Sequence, residues 1–190
     1  MDRLIRIAES VAGKSFEKWF DDMVMTEFDN VNRKIAEYGM PFDMTIEYDD
    51  SYESEEDFDE HECSDGLAGD MVAVALLEDR ADAHVIPVAV NKPMFEDIWY
   101  DDDVPTDRIE NEFVVTLWHE VAHGILDNLG DLAMEYGVDM EFSCDDEEAC
   151  EEFGKAKGNL EGSRLGRWIM EQKRNGWSDF VEEDEEDEEE

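Results

Sequence analysis

The segment RIENEFVVTLWHEVAHGILDNL, residues 108–129, constrains the fold more than any other stretch of the chain. Phe113, Val114, Leu117, Val121, Ile125 and Leu129 recur close to one side of a 3.6-residue helix. Val115, Trp118, Ala122 and Leu126 widen that side. A helix apolar over so much of its surface has to be covered on several sides, so it is expected at the centre of the fold. Gly130 reads as its stop, and DLAMEYG, residues 131–137, as a short additional helix.

His119, Glu120 and His123 stand inside this apolar run, where unpaired polar side chains are costly. Side chains four apart share a helix face, so the two imidazoles can offer nitrogens to one ion. Residue i+1 points about 100° away, so Glu120 flanks such an ion instead of binding it. A carboxylate placed there can take a proton from a water whose pKa the metal has lowered. The bland alternative is chance, because HExxH specifies only three positions in five. The chain has four histidines in all, however, and two of them are placed this way. The pattern points to a metal site with Zn2+ as the cofactor and Glu120 as the catalytic base.

Around this helix the chain reads as one α+β domain over residues 1–180. Residues 3–13 and 15–37 read as helices. Ser15 caps the second, which carries an apolar stripe of Phe16, Trp19, Phe20, Met23, Phe28, Val31 and Ile35 and is closed by Gly39 and Pro41. Residues 42–48 alternate as a strand. Residues 49–70, with nine acids between Asp49 and Glu62, read as a solvated loop, and His61 and Cys63 within it as chance residues. Residues 71–77 and 84–90 suggest an antiparallel hairpin, giving a small, mostly antiparallel sheet packed on the HExxH helix. Pro87 makes the second of these strands an edge, or a bulged strand. Residues 93–100 read as a short helix or irregular chain, with Thr106 or Asp107 capping the central helix. Helices over about 145–158 and 163–177 follow, the last with Leu165, Trp168 and Ile169 inward.

Charge excludes some partners. The chain has 56 acidic and 15 basic residues, a net charge of −41. Residues 182–190 are nine acids in a row, so 181–190 is expected to be a disordered tail, and without those nine the remainder still carries −32. Nucleic acid and anionic membranes are repelled by such a surface, whereas a basic protein or peptide substrate suits it. Lysine is scarce, and composition alone does not separate this reading from adaptation to high salt. Cys63, Cys144 and Cys150 are too few and too scattered for a disulfide scaffold. No stretch approaches the roughly 20 apolar residues of a membrane span, and the N-terminus lacks a signal peptide's apolar core. A cytoplasmic protein is expected.

VVTLWHEVAHGILDNLG resembles the active-site helix of the HExxH zincin metallopeptidases. It is most similar to small gluzincin-like domains of bacteria and their viruses. The detailed match covers roughly residues 110–130, and the order of elements extends it loosely from 70 to 160. The resemblance implies hydrolysis of peptide bonds, in a bacterial or virus-encoded setting. It also implies an extended substrate paired with an edge strand beside the motif helix, for which residues 84–90 are the candidate. It further implies a third metal ligand. A third histidine is absent, because position 129 is Leu and no histidine follows His123. The gluzincin pattern takes a carboxylate from a later helix, and the candidates lie in SCDDEEACEEFGKAKG.

Ala149, Cys150, Phe153 and Ala156 mark the inner face of that helix. Asp146 lies near its centre, Glu147 one residue off, and Glu148 nearly opposite. Asp145 with Glu148 also reads as a capping box. The families the chain resembles prefer glutamate for its reach, so the resemblance makes Glu147 the expected third ligand, with Asp146 and Glu148 as alternates. Glu151 is placed to hydrogen-bond a ligand imidazole. Cys150 is an alternative ligand, although small buried thiols are usually fillers, and Trp118 is expected to pack on the sheet. Three functions follow from these residues: a zinc metallopeptidase, a zincin-fold acidic protein that binds a basic partner without catalysis, or a metal-free mimic of nucleic-acid charge.

Overall fold

The computed structural model describes residues 15–50, 73–77, 84–100 and 106–180. The expected helix 3–13, the acidic loop with His61 and Cys63, and the acidic tail lie outside the described residues. Five helices and a small sheet follow in the order α1 (Phe16–Tyr38), β1 (Thr45–Asp49), β2 (Ala73–Ala75), β3 (Val85–Val90), α2 (Lys92–Tyr100), α3 (Thr106–Tyr136), α4 (Glu147–Lys155) and α5 (Arg164–Arg174). A single 3₁₀ turn, Leu160–Gly162, joins the last two helices. The α+β class holds. No helix among the described residues is long and apolar enough to cross a membrane.

The sheet departs from the sequence expectation. Its order is β1-β3-β2, and the longer pairing, β1 with β3, is parallel. Only the three-residue β2 runs antiparallel to β3, so the sheet is mixed and not mostly antiparallel. Residues 84–90 therefore form the central strand, not an edge, despite Pro87. The register explains how. Leu76 donates its N–H to the Pro87 carbonyl, and the return bond of that pair is the one a proline nitrogen cannot make. The missing donor falls on the β2 side just past Ala75, where β2 stops. Toward β1 the proline has nothing to donate in any case, because alternate residues face that strand.

On each outer strand one residue bonds to a side chain from a helix. On β1, Asn32 of α1 gives its amide N–H to the Ile46 carbonyl and accepts the Ile46 N–H, at 3.0 and 2.8 Å. On β2, the outward N–H of Ala75 donates to Glu120 Oε2 of α3 at 2.8 Å. An edge strand left bare would recruit another chain; here each edge docks onto the helix layer.

The central helix is longer than the sequence suggests. It runs through Gly130 and absorbs the expected short helix 131–137. It ends at Gly137, whose φ of 67° allows Val138 to donate back to the Ala133 carbonyl in a Schellman turn. A mid-helix glycine costs only about 1 kcal/mol, which the packing around α3 overrides. Phe113, Leu117, Val121, Ala122, Ile125 and Leu129 are fully buried. On one side of α1, Phe16, Trp19 and Phe20 stack with Phe95 and Trp99 of α2, and Phe95 meets Phe113 edge-on. Trp118 packs against Tyr38 and Phe153, with Lys34 over its ring, so it lies between α1 and α4 and not on the sheet as expected.

Two glycines let the sheet and α4 approach α3 closely. Gly124 has the Ile86 side chain of β3 2.9 Å from where its Cβ would stand. Gly154 of α4 has the Val115 carbonyl oxygen of α3 2.7 Å from the same point. α3 is thus held between sheet and α4, with its histidine turns facing α4.

Candidate metal centre

The two imidazoles meet as the helical spacing requires. His119 Nε2 and His123 Nε2 are 2.9 Å apart. The third group is Glu147, the first residue of α4. Its Oε2 lies 3.4 Å from His119 Nε2, and its Oε1 lies 3.7 Å from His123 Nε2. These three form the only group of His, Cys, Asp or Glu among the described residues whose donor atoms converge within 4.8 Å.

The separations can be tested against an ion. A tetrahedral zinc with N and O donors at roughly 2.0–2.2 Å holds those donors about 3.3–3.5 Å from one another. The observed 2.9, 3.4 and 3.7 Å bracket that range. The two carboxylate distances run to different oxygens, so seating an ion requires the histidine nitrogens to part by about 0.4 Å and one Glu147 oxygen to turn toward both imidazoles. Glu147 is half exposed and the imidazoles are 24 and 14% exposed, so the group opens to solvent on one side.

The proton inventory also fits. His123 Nδ1 lies 2.7 Å from the Cys144 carbonyl oxygen. A carbonyl only accepts, so Nδ1 carries the hydrogen and Nε2 presents its lone pair toward His119 and Glu147. A backbone acceptor of this kind fixes both the tautomer and the tilt of a metal-binding ring.

The alternates are used elsewhere. Asp146 is the N-cap of α4, and its side chain accepts the Ala149 N–H at 3.0 Å. The cap is thus one residue later than the Asp145–Glu148 capping box expected from the sequence. Glu148 turns outward to Arg164, at 3.1 Å. Glu151 is engaged by Lys155 one turn on. Cys150 is fully buried under the site, and burial, then the negative charges of Glu147 and Glu120, push its thiol well above the ordinary range. Its sulfur is not among the converging donors, and it packs as a small buried filler. Cys144 contributes its backbone, not its sulfur, to the site.

Glu120 lies off the imidazole face, as its position predicts, and is 9% exposed. Burial raises its pKa to about 7; the nearby His123 and the Ala75 N–H pull it down, and Glu147 pushes it up. A carboxyl that titrates close to neutrality exchanges protons readily at physiological pH, the property a general base needs. The sequence did not single out its Ala75 partner, the Cys144 carbonyl or the Asp146 cap. Two are backbone groups with no residue-type signature. The Asp146 cap was open to view, but Asp145 offered an equally good one.

Comparison of the chain with protein-family models, with curated proteins and with solved structures gave no match.

Proposed function

We propose that this chain is a zinc-dependent metallopeptidase, with His119, His123 and Glu147 as metal ligands and Glu120 as general base. The observation that carries the reading is the convergence of those three donors, with a buried carboxyl on the same helix. Two imidazoles and one carboxylate leave a fourth position of a tetrahedral ion open, which distinguishes catalytic from structural zinc sites. Zinc held there supplies Lewis acidity, bringing a water near deprotonation at neutral pH and polarising a carbonyl. With the ion bound, Glu120 would take the water's proton and pass it to the departing amine. The Cys144 carbonyl keeps His123 in its binding tautomer, and Ala75 keeps Glu120 on the sheet side of the helix. With a net charge of −41, substrates carrying Lys or Arg are favoured and approach fastest at low salt.

The test joins metal analysis to one substitution. Protein purified without added metal, then titrated with zinc, should bind one equivalent, and His123→Ala should abolish it. Glu120→Gln should keep the zinc and lose cleavage of basic peptides. Zinc binding without any cleavage by the wild type would favour a non-catalytic acidic binding protein instead. No zinc at all would sink the proposal.

A further inference from the structure

Gly154 is the point where α4 touches the backbone of α3. A Cβ there would lie 2.7 Å from the Val115 carbonyl oxygen, 3.1 Å from His119 Cβ and 3.2 Å from His119 N. Two of the three obstructing atoms are α3 backbone, which cannot swing aside as the end of a flexible side chain could. α4 therefore sits deeper against α3 than any residue with a side chain at 154 would allow.

Glu147 lies seven residues before Gly154, two helical turns away on the same face. From there its carboxylate reaches His119 and His123. One end of α4 thus rests on the turn that carries His119, and the other end supplies the third donor to that same turn and the next. The Asp146 cap fixes the first turn of α4, so Glu147 moves with the helix.

We infer that Gly154 is a positioning residue: its missing side chain sets the depth of α4 on α3 and so holds Glu147 in register with the two histidines. The inference rests on the zinc reading proposed above. A carbon and a carbonyl oxygen pack at roughly 3.2–3.4 Å, so an alanine at 154 would force α4 back by about 0.5–0.7 Å. Zinc–ligand distances tolerate only about 0.2 Å. Glu147 would hold the ion more weakly, while the two histidines, both on α3, would keep it.

A double-mutant cycle on the full chain tests this, with zinc affinity as the readout and no reliance on activity. Gly154→Ala should weaken zinc binding tenfold or more in the wild type, and less than twofold in a Glu147→Gln background. General loosening of the fold would lower affinity in both backgrounds alike. Should Gly154→Ala be loose at 25 °C by circular dichroism, all four proteins are compared in the same stabilising osmolyte concentration. An equal loss in both backgrounds, or no loss in the wild type, overturns the inference while leaving the zinc site standing. Absence of zinc binding by the wild type overturns the metal reading itself, and this inference with it.

Discussion

Glu120→Gln should make the metal-free protein more stable, increasingly so as pH rises. The Glu120 carboxyl titrates at about 7 in the fold, against 4.5 for the unperturbed group. The folded chain therefore holds its proton longer than the unfolded chain does. Stability from this group is fully present below about pH 4.5, falls as pH rises toward 7, and is flat above. The two values imply a cost to folding of roughly 1 kcal/mol at pH 5.5 and roughly 3 kcal/mol at pH 8.5. Glutamine keeps the shape and an oxygen to accept the Ala75 N–H, but carries no titrating proton. The wild type should thus lose about 2 kcal/mol relative to Glu120→Gln between those pH values. Urea unfolding of both proteins in chelator, at intervals from pH 5.5 to 8.5, measures the difference and cancels the titration of groups distant from the site. That range also avoids the isoelectric region near pH 4.1. Parallel stability curves would refute the argument, since they would mean that Glu120 is solvated or reorients freely when charged.

Three further substitutions probe the frame around the site. Asp146→Ala removes the N-cap that accepts the Ala149 N–H, and should cost about 1 kcal/mol by urea unfolding. It should also weaken zinc binding, because Glu147 sits in the turn released. Gly130→Ala should stabilise by about 1 kcal/mol and raise Tm, since this helical position has nothing within 4 Å of the added Cβ. Tyr38→Phe leaves the buried Gly158 carbonyl without its hydroxyl donor and should cost about 1–2 kcal/mol by denaturant unfolding.

The parts of the fold legible in the sequence were those with a period. The α1 stripe from Phe16 to Ile35, its Ser15 cap and the central helix around HEVAH all fell where side-chain spacing placed them. So did the inward Leu165 and Ile169 of α5. Errors came where one residue type carries a local rule that packing overrides. Gly130 reads as a stop, yet its propensity cost is small beside the burial of the helix that passes through it. Pro87 reads as an edge marker, yet one strand can be central if its proline faces the short neighbour where that neighbour ends. Among the carboxylates, periodicity alone favoured Asp146 for the centre of the inner face. The short, first-placed aspartate became the cap, and the longer glutamate behind it reached the histidines. Contacts that rest on backbone groups, Ala75 N–H and Cys144 C=O, have no sequence signal to read.

The site divides along α3 into two halves with separate supports. His119 and His123 face α4, where Gly154 sets the depth, Glu147 completes the donor set and the Cys144 carbonyl fixes a tautomer. Glu120, one residue round the helix, faces the sheet, where the outward N–H of Ala75 holds it. A single helix carries all three motif residues. Their partners, however, belong to different layers. Perturbing α4 should therefore alter metal affinity while leaving the Glu120–Ala75 contact intact, and perturbing β2 should do the reverse. That separation turns a five-residue motif into two independently testable claims, one about an ion and one about a proton.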